Sequence, residues 1–269
     1  MRPSCYPAVV AIETLIPERG GSTPGSGPIA AAWLGRVDYR EALALQKRLV
    51  AERADGRIGD QLLLLEHPPV LTLGRTSDPV HVRADPATLA ARGIEVVQVE
   101  RGGEVTYHGP GQLVAYPIIA LAERGLMVRP LVRALEAALV ATCAAHGVQA
   151  ARRDGHPGCW CDPDSDDPRK IGALGLRVER GVSYHGIALN ITVDLADFEL
   201  IDPCGMPGVT STSIAAERDP AERDPAERDP AERGRPAARG TPTTASVQHA
   251  ATLFATALAA ELGAPLTGI

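Results

Sequence analysis

Helical spacing is clearest over residues 39–54, where positions 42, 43, 46, 49 and 50 share one side and Asp38 stands ready to cap the first turn. A continuous apolar run, QLLLLE over 61–66, reads as a buried strand, and a second strand follows Pro68-Pro69 over 70–74. Asp85-Pro86 opens a short helix that Gly93 closes, because proline suits a first turn and glycine an end. Residues 94–100 alternate like a strand, and LVAYPIIA over 113–120 reads as another. The pattern then predicts a helix over 130–146, strands over 171–178 and 182–193, and a final helix over 246–262 closed by Gly263. Interspersed strands and helices predict one mixed α/β domain, α/β in class, and exclude an all-helical one.

Two stretches stand outside this pattern. Residues 1–28 end in the Gly/Ser/Pro run RGGSTPGSGP and read as a flexible tail. Residues 216–233 repeat AERDP three times and then AER, a five-residue period that matches no solenoid. Its prolines remove helix donors, and it holds nothing apolar larger than alanine. Such a segment cannot offset its ordering entropy, so a disordered insert is expected over 216–243 within a domain over 29–269.

Charge sharpens this division. The 269 residues carry 27 Lys+Arg against 33 Asp+Glu, a formal charge of −6. DPDSDDPR over 162–169 contributes −3 (four Asp, one Arg) and 216–233 another −3 (seven acids, four Arg), so the remainder sums to zero. A neutral body with two acidic loops predicts no nucleic-acid partner. No run approaches the ~18 apolar residues of a membrane span, so no membrane partner is expected either. Aromatics are only 3%, so the core must be aliphatic. Five cysteines form no framework, and free thiols in a reducing cytoplasm are the natural expectation.

Three blocks carry candidate chemistry. The first is RGGEVTYHGPGQ over 101–112, whose Gly102-Gly103 and Gly109-Pro110-Gly111 either let backbone approach a ligand or form two ordinary turns around a hairpin. Its spacing is not the dinucleotide fingerprint. The second is KIGALGLRVERGVSYHGIALN over 170–190. Lys170 there is either a partly desolvated base or a solvated lysine beside the acidic loop, and His185 has a plain core alternative. The third is IDPCGMPGVTS over 201–211, where Cys204 on a rigid Pro-Cys-Gly turn is either a presented thiol or an ordinary cysteine. Cys143 falls among apolar positions of the 130–146 helix, and Cys159-Trp160-Cys161 lacks the further ligands that zinc needs, so no metal is expected. No G-x-S-x-G elbow supports a serine hydrolase.

Together and in this order, RGGEVTYHGPGQLVAYPI, Lys170 in KIGALGLRVERGVSYHGIALN and Cys204 in DPCG resemble the lipoyl(octanoyl) transferase family, with LLLLEHPPVLTLGR over 62–75 matching as well. The resemblance implies a biotin/lipoate protein ligase-like fold, a mixed sheet flanked by helices. It implies transfer of an octanoyl group from octanoyl-acyl carrier protein to a lysine of lipoyl domains, those of 2-oxoacid dehydrogenase complexes and of the glycine cleavage H protein, by a monomer that uses no cofactor. Carried over by motif, Cys204 is the acyl-thioester nucleophile and Lys170 the group that lowers its pKa and acts as acid and base. The acyl chain would lie against Arg101, Gly102, Gly103, Glu104, Val105, Thr106, Tyr107 and His108, against Ala173, Leu174 and Gly175, and against Gly186, Ile187 and Ala188. Backbone N–H groups of 173–175 and 186–188 are the expected oxyanion donors. An ATP-dependent lipoate or biotin ligase, or a non-catalytic acyl-binding protein on the same scaffold, are the alternatives. The tail, the lengthened segment before Lys170 and the AERDP tract depart from the family pattern without touching its motif residues.

Overall fold

The computed structural model of the protein describes residues 27–202, 208–219 and 244–269. Strand β1 (Ile29–Arg36) leads into helix α1 (Tyr39–Ala54), strands β2 (Asp60–Glu66) and β3 (Val70–Leu73), helix α2 (Pro86–Ala91) and strands β4 (Glu95–Gln98), β5 (Val105–His108) and β6 (Gln112–Ile118). Helix α3 (Val128–Ala145) follows, then β7 (Ala151–Arg153), β8 (His156–Cys161), β9 (Arg169–Glu179), β10 (Val182–Asn190), β11 (Thr210–Ser211), helices α4 (Ile214–Arg218) and α5 (Thr244–Glu261), and β12 (Leu266–Gly268). The expected α1 appears with the bounds its cap predicts. The Asp38 carboxylate accepts the N–H groups of Arg40 and Glu41 at 2.8 and 3.2 Å, satisfying orphan donors of the first turn.

The main sheet runs β12-β1-β2-β6-β10-β9-β8-β7, with β11 added beside β9. Strands β2, β6 and β10 are buried along their whole length, because helices cover both faces of the sheet. That explains why QLLLLE is continuously apolar rather than alternating. One face packs on α3 and α5 through Leu64, Leu113, Leu139 and Phe254, and the other on α1 through Leu49, Leu63 and Tyr116. A second, three-stranded sheet, β4-β3-β5, packs its own small core around Leu71, Tyr107 and Phe198. Among the described residues, no helix is long and apolar enough to cross a membrane.

Several elements differ from the sequence pattern. Strand β1 (IAAAWLGR) is alanine-rich and carries no strand signal; pairing with β2 on one side and β12 on the other makes it a strand. The β7–β8 hairpin runs through HPGCWC, a composition with little strand propensity. Strand β10 stops at Asn190 rather than 193, because Val193 turns into the small core beside Phe198.

The repeat also needs correction. Its first copy is not disordered: Ala216–Arg218 lies in α4, capped by Ser213, whose hydroxyl accepts the Ala216 N–H at 3.1 Å. Ala216 is buried, and the Glu217 carboxylate accepts from Arg169 at 2.8 Å. The repeat is polar in itself, but the cap Ser213 and the core residue Ile214 that order its first copy lie just outside it. Residues 220–243, the tail residues 1–26, and residues 203–207 with Cys204 lie outside the described residues.

Candidate active site

The two sheets meet along one cleft of about 480 Å³, its solvent-facing mouth included. Arg101, Gly103, Glu104, Val105, Thr106 and His108 line one wall. Ala173, Leu174 and Gly175 of β9 and Gly186, Ile187 and Ala188 of β10 line the other. Tyr39, Tyr116 and His185 complete the lining, and sequence reasoning proposed none of them for it. They come from three separate elements, and no local pattern links them.

Gly102 and Tyr107 do not line the cleft. In β5 side chains alternate, so Thr106 and His108 face the cleft and Tyr107 faces the small core. There its ring meets Phe198 edge-on at 5.4 Å and its hydroxyl donates to Asp197 at 2.7 Å. Gly102 instead ties the wall to the sheet, its N–H donating to the Leu176 carbonyl at 3.0 Å.

The glycines serve the chain rather than a ligand at two facing positions. Gly175 and Gly186 are opposed in the β9–β10 ladder. A Cβ on Gly175 would lie 2.8 Å from the Gly102 carbonyl oxygen, and one on Gly186 2.0 Å from that of Ala115. Bare backbone lets the 101–103 segment close onto β9 and lets β10 bend against β6. The bend breaks the ladder without inserting a residue. Ser183 bonds the Ile119 carbonyl and Ile187 pairs with Ala115, while His185 between them has φ of +55°. Its N–H donates instead to buried Gln46 of α1 at 2.8 Å. A non-glycine residue held in the left-handed region costs about 1–3 kcal/mol, and the result is a histidine turned toward the cleft.

Arg101 braces the loop wall. Its guanidinium donates to the Thr72 carbonyl and hydroxyl at 2.7 and 2.9 Å and to the Gly102 carbonyl at 3.1 Å. The floor beneath is aromatic, polar and uncharged at neutral pH. His67 bonds the Val37 carbonyl and the Tyr116 hydroxyl, both at 2.7 Å, and His108 bonds Gln112 at 2.7 Å. Burial lowers the pKa of His67 to about 4, of His108 to about 3 and of His185 to about 4, so each is a neutral imidazole. Burial likewise raises that of Tyr39 to about 12.

Lys170 is 6% exposed, so the solvated alternative is overturned. The acidic loop is answered by its neighbour, since Arg169 pairs with Asp162 at 2.6 Å and Glu217 at 2.8 Å. Both flanks of the Cys204 segment are anchored close by. Upstream, the Asp202 N–H donates to the His81 carbonyl at 2.8 Å, and the His81 ring bonds the cleft residue Glu104 at 3.1 Å. Downstream, β11 pairs in parallel with Arg169 and Lys170, and the Thr212 N–H donates to the Lys170 carbonyl at 2.9 Å. A side-chain relay from His108 through Gln112 and Asn190 ends on the Thr212 carbonyl, tying the floor to that strand. Cys159 and Cys161 point into the core with Cys143, which makes the C-x-C pair packing rather than ligation.

Two sheets enclosing a lined cleft, with helices on both faces of the larger, is an architecture shared with solved lipoate protein ligases. A bipartite ligase from Thermoplasma acidophilum superimposes with a TM-score of 0.55 at 14% identity, covering 91% of this chain and 86% of that one. A lipoate-protein ligase A with ATP bound gives 0.55 at 14%, covering 91% and 88%. Residues 38–223 match the family model of the lipoyl protein ligase A/B catalytic domain. An octanoyltransferase of Acidobacterium capsulatum is 52% identical over 192 residues, covering 68% of this chain and 78% of that protein. One of Chloroflexus aggregans is 49% identical over 185 residues, covering 68% and 82%. The chain belongs to the lipoyl protein ligase A/B catalytic domain family and, within it, to the octanoyltransferases.

Proposed function

We propose that the protein moves an octanoyl group from octanoyl-acyl carrier protein to a lysine of lipoyl domains through a thioester on Cys204, with Lys170 as its acid and base. What carries this reading is the burial of Lys170 on β9, three residues before the cleft wall, beside the anchored strand that follows the Cys204 segment. The Cys204 thiolate attacks the carrier thioester, a new C–S bond forms, and the carrier thiolate leaves with a proton from Lys170. The neutral target amine then attacks the acyl-cysteine. Lys170 takes the amine proton and Cys204 leaves as thiolate, restoring the starting state. Thioester exchange is close to isoenergetic and amide formation runs downhill, so the cycle needs no nucleotide.

The oxyanion donor is narrowed by the ladder. Residues 186–188 lie inside the sheet, where Ile187 and Ala188 pair on both sides. The Leu176 carbonyl accepts Gly102 at the other edge of β9, so alternation turns the Leu174 N–H toward that same edge. Leu174 is the donor favoured here. The acyl chain lies along the cleft, each buried methylene contributing roughly 0.8 kcal/mol. Free Cys143, Cys159 and Cys161 suit a reducing cytoplasm. Mixing with octanoyl-carrier in the absence of ATP should place an octanoyl mass on Cys204, and Cys204→Ser should abolish turnover. A label on Cys159 or Cys161, or full activity in Lys170→Arg, overturns the assignment.

A further inference from the structure

Trp160 is fully buried and among the largest buried side chains, yet it belongs to none of the apolar core clusters of the described residues. Its neighbours on β8, Cys159 and Cys161, take the core-facing positions. The indole faces cations instead. The Lys170 Nζ lies 4.9 Å from the ring centroid and the Arg153 guanidinium carbon 5.2 Å, both within the roughly 6 Å at which a ring face attracts a cation. A tryptophan buried for packing alone would be surrounded by aliphatic groups in this alanine- and leucine-rich protein.

The backbone is shaped to make this contact. A register shift between Cys159 and Trp160 sets Trp160 directly opposite Lys170 in the β8–β9 ladder. Gly158 has φ of +127°, and a Cβ there would come 3.2 Å from the Lys170 Cε and 2.4 Å from the Gly172 carbonyl oxygen. The lysine stem therefore passes over bare backbone. That backbone is held from α3, where buried Glu136 accepts the Gly158 N–H at 3.2 Å. The ring is locked by its Nε1–H, which donates to the His156 carbonyl at 3.0 Å. Few rotamers remain for either partner.

We propose that Trp160 is a positioning residue for the reaction, its ring face holding the Lys170 ammonium at the place where it meets the reacting sulfur and amine. This rests on the reading of Lys170 as acid and base. The test is made in the full chain carrying Trp33→Phe, so that Trp160 is the sole tryptophan. Mono-, di- and trifluoroindole are then incorporated there, which withdraws electron density from the ring face while keeping its shape. Octanoyl transfer should fall stepwise along the series, several-fold overall, in kcat, with KM for the carrier and the melting temperature unchanged. Trp160→Leu should lose at least tenfold and Trp160→Phe should recover part of it. A flat fluorination series overturns the proposal, even where Trp160→Leu fails to fold. Lys170→Met separates the two ideas. Inactive Lys170→Met with a flat series sinks the ring alone, whereas active Lys170→Met removes the amine from the reaction and the ring with it.

Discussion

Two buried polar clusters of this protein solve burial in opposite ways. At one end of β2, Asp60 accepts from Arg53 at 2.7 Å and from Arg124, and its carboxylate also takes the Ala120 N–H at 3.0 Å. Arg53 reaches on to Glu123 at 2.8 Å, and Arg124 to the Gly27 carbonyl at 2.8 Å. That cluster keeps full charges by pairing them, and it knits the first described residues to α1 and β2. The cleft floor of Tyr39, His67, His108, Tyr116 and His185 keeps none. Its rings lie 5.0 to 6.5 Å apart, and its histidines are neutral. An acyl chain can lie on such a floor without desolvating an ion, and it could not lie on the first cluster. The comparison separates a polar cluster that stabilises the fold from one that shapes a site.

The sharpest way to break the comparison is Asp60→Leu. It takes the buried carboxylate from Arg124 and leaves Arg53 only Glu123, so stability should fall by about 3–5 kcal/mol in denaturant titrations, with turnover per folded molecule retained. Acid attacks the other cluster. Between pH 6.5 and about 4 the unfolded chain protonates His67, His108 and His185 while the folded chain refuses those protons. Stability therefore drops as pH falls through that window, by about 1.4 kcal/mol per pH unit for each histidine, or roughly 2 kcal/mol each by pH 5. Denaturation at pH 7.5 and 5 should show it, and a flat profile would mean that the folded chain takes up these protons as readily as the unfolded one. Tyr116→Phe leaves a His67 ring nitrogen unpaired and should cost about 1–2 kcal/mol by the same titration. Arg40→Ala breaks only the exposed Arg40–Glu95 pair and should cost under about 1 kcal/mol.

Much of the frame was readable from local pattern. Asp38 caps α1 where expected, and the apolar run of β2 lies where sheet faces are covered twice. Two of the three ordered blocks converge, since residues 101 and 103–106 of the first and segments 173–175 and 186–188 of the second face one cleft, while Cys204 of the third lies outside the described residues. Other features were hidden. Tyr107 and His108 are adjacent, and only the pairing of 105–108 with β3 as a strand sends them to opposite sides. Trp160 lies in a stretch with no strand signal, and its partner is set by a register shift that no composition encodes. The first AERDP copy looked disordered because its anchor, Ile214, lies outside the repeat.

Sequence alone determined what depends on neighbours a few residues away: helix caps, the covered strands, the order of the chemical blocks and the neutral body between two acidic loops. Tertiary structure decided the state of Lys170 and of the cleft histidines. Desolvation and ring contact depend on atoms brought in from other strands and helices. Arg169 and Lys170 are adjacent cations, yet one answers the acidic loop while the other is withdrawn from water against Trp160. Strand alternation, set by pairing with β8, divides their fates.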